Sequence, residues 1–201
     1  MPDSTVPFDA GAEAALRLAE TEAQRLAMAY VGTEHVLLGV ASDVDGVGAH
    51  VLREFGIDFE RIRNALQLIA SARPIGGGWR ATARIIPSAQ ASPSESSTST
   101  ARDKPTWSLR ANKAIGLARD DARRLNHSHI GTGHLLLGLI REGDNMATGI
   151  LASHGVQRRV PAEAHSAVPP AEWGQESRRL SVAYLDAIRN RVLAVFAQSS
   201  P

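Results

Sequence analysis

The 201 residues are 43% hydrophobic but only 4% aromatic, enough for the core of one domain or two small ones built from Leu, Ala, Val and Ile. Twenty-two basic residues are scattered among 21 acidic ones for a net charge of +1, which argues against the concentrated basic stripe of a nucleic-acid binder. The absence of cysteine excludes disulfide scaffolds, thiolate nucleophiles and Cys-ligated zinc; with no visible secretory leader and no apolar run near the roughly 20 residues of a membrane span, the chain is expected to be cytoplasmic.

Apolar residues at Ala12, Ala15, Leu16, Ala19, Ala23, Leu26 and Tyr30 recur in steps of three and four and predict a first amphipathic helix. Gly32 interrupts it, and Thr33 is expected to cap the next helix through its hydroxyl. That helix, 34–41, is apolar on most sides and therefore belongs at the centre of a bundle. A turn through 43–46 leads to a third helix carrying Val47, Val51, Leu52 and Phe55, stopped by Gly56. Asp58 can cap a fourth, with Phe59, Ile62, Leu66 and Ile69 inward and Pro74 beyond its end. Residues 74–105, with Gly76-Gly77-Gly78 and a Ser/Ala/Thr/Pro-rich stretch over 88–100, cannot bury enough apolar surface to offset ordering, and predict a flexible linker.

Three more helices are expected from 108 to about 154. A long fourth is not, because Pro161 and Pro169-Pro170 fall where it would run and an interior proline costs about 3 kcal/mol. After a Pro-rich connection over 157–175, Leu180, Tyr184, Ile188, Val192 and Val195 mark a C-terminal helix over 176–197. It either takes the missing helix's place against the core or stands as an independent tail.

The two halves are copies. Residues 31–40 (VGTEHVLLGV) align with 130–139 (IGTGHLLLGL), so that Gly32 lies over Gly131, a shift of 99 residues. The same shift places Ala12, Leu18, Arg25 and Leu26 on Ala111, Leu117, Arg124 and Leu125, Gly56 on Gly155, and Phe8 on Trp107. One register held for about 50 residues through several glycines is a duplication. The units are 8–73 and 106–156, and the fold class is all-α: a pseudo-twofold bundle of two four-helix repeats with a C-terminal helix.

Catalytic signatures are missing. No Gly-Lys pair occurs, so no phosphate-cradling loop exists, and neither HExxH nor GxSxG is present. His127, His129 and His134 cluster in sequence, but the first copy has Met28, Tyr30 and His35 there, so only one histidine is common to both repeats. His35 and His134 are expected to fix the loop–helix junction. No catalytic residue, metal ligand or cofactor is assigned. Two rivals stay open: a metal- or His-dependent enzyme centred on His127 and His129, with Ser128 beside them, and a helical DNA-binding regulator.

The duplicated Gly-Thr-(Glu/Gly)-His-(Val/Leu)-Leu-Leu-Gly box, the Arg-Leu ending of the helix before it, and the Arg141-Glu142-Gly143-Asp144 turn resemble the Clp N-terminal repeat domain, nearest to that of the ClpC unfoldases. The resemblance implies a bundle of eight helices, four per repeat, that recruits substrates and adaptors for an ATPase. No motor motif lies in these residues, so it implies binding alone: a non-catalytic adaptor, decoy or sequestering accessory of an ATP-dependent Clp system. The implied partners are Clp chaperone or protease components, adaptor proteins, unfolded or tagged substrates and cyclic-peptide antibiotics, with no nucleic acid and no membrane. It further implies two phosphoarginine pockets, each pairing the box glutamate with a hydroxyl near the start of a repeat's first helix. Paired within each repeat, these would be Asp9 with Glu34 and Ser108 with Gly133, both degenerate; Asp9 and Ser108 would otherwise serve simply as N-caps. Phe8 and Trp107 fall where the resemblance places a peptide-contacting aromatic near the repeat interface.

Overall fold

The computed structural model describes residues 6–71, 104–143, 145–159 and 170–199. Among them, the first repeat comprises α1 (Ala10–Arg25), β1 (Tyr30–Val31), α2 (Thr33–Ser42), α3 (Val47–Glu54) and α4 (Phe59–Ser71). The second comprises β2 (Thr106–Trp107), α5 (Leu109–Arg124), α6 (Thr132–Glu142), α7 (Met146–Arg159) and α8 (Pro170–Ser199). The linker expected over 74–105 lies outside the described residues except for Lys104 and Pro105, and the connection over 160–169 lies outside them altogether.

The helices begin and end for local reasons that recur in both repeats. Asp9 Oδ1 accepts from the Ala12 N–H at 2.7 Å, and Ser108 Oγ accepts from the Ala111 N–H at 3.1 Å, so each satisfies a donor the first turn leaves free. At the other end Ala27 (φ 51°) and Asn126 (φ 56°) turn left-handed. This brings the N–H of Met28 back to the Ala23 carbonyl and that of His127 back to Ala122. Gly56, φ 72°, stops α3 as expected, and Asp58 Oδ1 accepts from the Arg61 N–H at the start of α4.

Two boundaries differ from the sequence reading. The N-cap of α2 is Gly32 rather than Thr33, with extended backbone at φ −94° and ψ 176°. The stabilising side chain is the imidazole three residues on: Nδ1 of His35 accepts the Gly32 N–H at 3.0 Å, and Nδ1 of His134 accepts that of Gly131 at the same distance. The threonines turn across the molecule instead. The Thr33 hydroxyl accepts from the Ala147 N–H and the Thr132 hydroxyl from the Gly48 N–H, both at 3.4 Å. In addition, α7 runs to Arg159 and α8 starts at Pro170, so that helix extends into both ends of the expected connection. A proline at the first helical position loses no hydrogen bond, since its N–H would be unpaired there.

The core sits on α2 and α6, where Leu37, Leu38, Leu135, Leu136 and Leu139 are buried. The alanine faces of α1 (Ala12, Ala15, Ala19, Ala23) and α5 (Ala111, Ala114, Ala118, Ala122) cover them. Contact is close enough that a Cβ on Gly39 would strike the Ala15 carbonyl, and one on Gly138 the Ala114 carbonyl. The repeats are tied at their edges: β1 and β2 pair in parallel, Val31 beside Trp107, and Phe8 bridges Ile130 in the same sense. Helix α8 lies on α3, α6 and α7 through Tyr184, Ile188, Val192 and Phe196, all buried.

Candidate binding clefts at the repeat interface

The duplication builds two clefts, and both draw on both repeats. The first, about 620 Å³, is formed by Gly32, Thr33 and Glu34 of one repeat and by Ser108, Arg110, Asn145 and Met146 of the other, with Met28 and Tyr30 at its side. The second, about 440 Å³, exchanges the roles: Gly131, Thr132, Gly133 and His134 face Asp9, Gly46 and Val47, with His127 and His129 at the side. Adding 99 to the first-repeat numbers, or subtracting it from the second, turns most of one lining into the other. Phe196 has no such counterpart.

This crossing overturns the pairing expected within each repeat. The structure brings Glu34 together with Ser108, and Gly133 together with Asp9. The reason is the edge tie: pairing of Val31 with Trp107 carries the start of α5 to the α2 junction, and the Phe8–Ile130 bridge carries α1 to the α6 junction. Sequence separation concealed it, because partners 74 and 124 residues apart meet through a pair of two-residue strands and a single-residue bridge with no composition signal. One cleft consequently retains both the carboxylate and the hydroxyl, while the other retains neither.

The Glu34 cleft has unlike walls. Glu34 is mostly covered, its carboxylate 3.4 Å from Nδ1 of His35. The same nitrogen accepts the Gly32 N–H at 3.0 Å. Opposite stand the N-terminus of α5, the Ser108 hydroxyl and Arg110. Arg110 is held by Glu142, at 3.6 Å, which is itself buried and also paired with Lys113 at 3.5 Å. Asn145 secures the far edge: its side-chain N–H groups donate to the Leu139 carbonyl and Glu142, while Oδ1 accepts from the Thr148 N–H.

The Gly133 cleft is chemically different. Asp9, Asp43 and Asp45 line it, with Asp43 accepting from the Thr132 hydroxyl at 3.1 Å. His127 reaches His134 rather than His129: Nδ1 of His127 lies 2.8 Å from Nε2 of His134, whereas His129 lies 2.9 Å from the Ser128 hydroxyl on an exposed loop. Burial first, then the neighbouring His127, lower the His134 pKa to about 4, against the opposing pull of Asp9. Among the described residues no group of three or more His, Asp or Glu is placed to hold a metal ion. No described helix is long and apolar enough to cross a membrane.

Phe8 and Trp107 sit at the repeat edges, half-buried. The Trp107 indole N–H donates to Glu20 at 3.0 Å, and the Lys104 ammonium lies 2.9 Å from the same carboxylate. The hydrogen bond with Lys104, and then that from Trp107, hold Glu20 below the usual carboxylate range against the opposing effect of burial. Phe8 carries the Arg119 guanidinium over its ring at 6.0 Å.

Comparison with known proteins agrees with this architecture. The family model of the Clp repeat (R) N-terminal domain matches residues 7–99 and 106–172. The chaperone protein ClpB of Oceanobacillus iheyensis is 34% identical over 149 residues, covering 74% of this chain. The negative regulator of genetic competence ClpC/MecB of Bacillus subtilis is 36% identical over the same share. The aligned part is 15% of either relative's length, so the chain corresponds to a small portion of those proteins. Among solved structures, the N-terminal domain of the chaperone ClpD from Arabidopsis thaliana superposes with a TM-score of 0.54 at 15% identity, over 96% of both chains. Sequence match, duplicated box and helical architecture coincide, and the chain belongs to the Clp repeat (R) N-terminal domain family.

Proposed function

We propose that this protein is a non-catalytic recognition module of a Clp chaperone–protease system, and that its Glu34 cleft is the working site. One observation carries the reading: across the repeat interface a carboxylate faces a helix N-terminus, a hydroxyl and an arginine. A ligand joining a guanidinium to a phosphoryl group matches both walls. Glu34 takes the N–H donors, while Ser108, Arg110 and the free N–H groups of α5 take the anion. Phosphoarginine on a protein substrate or adaptor is such a ligand. The Gly133 cleft, with three aspartates and no glutamate at the box position, repels a phosphoryl group and offers the guanidinium no matching carboxylate there. The protein would thus mark or sequester cargo, acting as adaptor or decoy for the ATPase that unfolds it. Phe8 and Trp107, on the same repeat edges, are the aromatics available to an apolar peptide ligand.

Titration calorimetry with free phosphoarginine tests this directly. The expected result is one site per chain, lost at least tenfold in Glu34→Ala and Ser108→Asp but retained in Asp9→Asn. Absence of binding to the wild-type chain, or indifference to Glu34, removes the reading. Capture of the cell's Clp chaperones on the immobilised protein checks the partner side.

A further inference from the structure

We propose that the box-position side of the Gly133 cleft is a receptor for the chain's own α8: an amphipathic helix tipped by an aromatic residue fills that space in cis, so that the two clefts the duplication built no longer offer the same site. Phe196, which comes from α8, lines that cleft and not the other. Its ring stacks on His134, with centroids 4.5 Å apart and planes 20° apart, and meets His127 edge-on at 4.9 Å. A Cβ on Gly133 would lie 2.6 Å from Cζ of Phe196 and 3.0 Å from a Val47 methyl. The ring therefore occupies space that any side chain at the box position would need, and Glu34 fills that position in the other repeat.

A second glycine repeats the adaptation. Gly56 ends α3 with a left-handed turn, but Gly155, at the equivalent position, lies inside α7 with the Tyr184 ring directly against it, where a Cβ would clash. Tyr184 also donates to the Phe55 carbonyl at 3.1 Å and packs edge-on against the Phe55 ring. Arg191 grips both carboxylate oxygens of Glu54, at 2.6 and 2.7 Å. The surface beneath α8 is thus cleared by glycine under both Tyr184 and Phe196, and α8 is anchored to the first repeat as well as the second. A tethered segment competes at an effective concentration near the millimolar range, so a cis occupant excludes ordinary ligands from the space it fills. The inference does not depend on which ligand the Glu34 cleft takes.

A labelled peptide of residues 181–199 is the probe, read by fluorescence anisotropy against the full chain. The wild-type chain is expected not to bind it at micromolar concentration. Ile188→Asp, which undocks α8 without altering the cleft, is expected to bind it saturably while keeping its helicity, and to bind the same peptide carrying Phe196→Ala at least tenfold more weakly. Tight binding by the wild-type chain, no binding by a helical Ile188→Asp chain, or equal binding of both peptides overturns the proposal. Should Ile188→Asp fail to fold, the full chain carrying Phe196→Ala decides, with toluene as the probe of the vacated space. A saturable shift of the His134 ring protons, absent from the wild type, supports the proposal; no shift overturns it.

Discussion

His134 shows how one side chain sets a local electrostatic state. Its Nδ1 accepts the Gly131 N–H, so the proton of the neutral ring resides on Nε2 and is donated to Nδ1 of His127. A proton on Nδ1 of His134 would break the helix-start hydrogen bond and place a charge beneath the Phe196 ring. Its folded pKa of about 4 lies below the ordinary 6.5, so the unfolded state takes up the proton first. The contribution to stability is therefore complete above pH 6.5 and is lost as pH falls from 6.5 to 4, by about 3 kcal/mol at the bottom of that window. Urea unfolding at pH 7.5 and pH 4.5 should show this loss in the wild type and a clearly smaller one in His134→Asn, whose amide oxygen can still accept from Gly131. Equal pH dependence in both proteins would assign the effect to other groups.

Among elements, the pairs α1 with α2 and α5 with α6 depend on close approach of small residues, and glycine can have opposite meanings within one pair. Gly138 faces the Ala114 carbonyl with no room for a methyl group, whereas a Cβ on Gly116, in the middle of α5, would meet nothing within 4 Å. Gly138→Ala is expected to destabilise by about 1–3 kcal/mol through overpacking. Gly116→Ala is expected to stabilise by about 0.5–1 kcal/mol, because the unfolded chain loses conformational freedom and the helix gains a better former. Thermal midpoints of the two variants should move in opposite directions.

For the whole molecule, the repeats interlock rather than sit side by side. The Thr33 hydroxyl holds the start of α7, Thr132 holds the start of α3, and the two edge bridges each join residues from different repeats. Arg191 on α8 returns to Glu54 on α3. Each repeat holds the start of one helix of the other, so calorimetry should record one unfolding transition with equal calorimetric and van't Hoff enthalpies. Two separated transitions would mean that the repeats fold independently.

Helix positions, the duplication and its family were legible in the amino-acid order, because periodicity, caps and a constant 99-residue register are local or self-referential signals. Gly56 as a stop and Asp58 as a cap needed only neighbouring residues. The composition of the clefts was not legible. Glu34 meets Ser108 through two-residue strands, and Gly133 meets Asp9 through a single bridge, both too short to leave a pattern, and Phe196 reaches Gly133 only because α8 folds back over α6. Local order set the parts; which parts share a cleft was decided by long-range packing, where side-chain shape and backbone pairing act between residues that the linear chain keeps far apart.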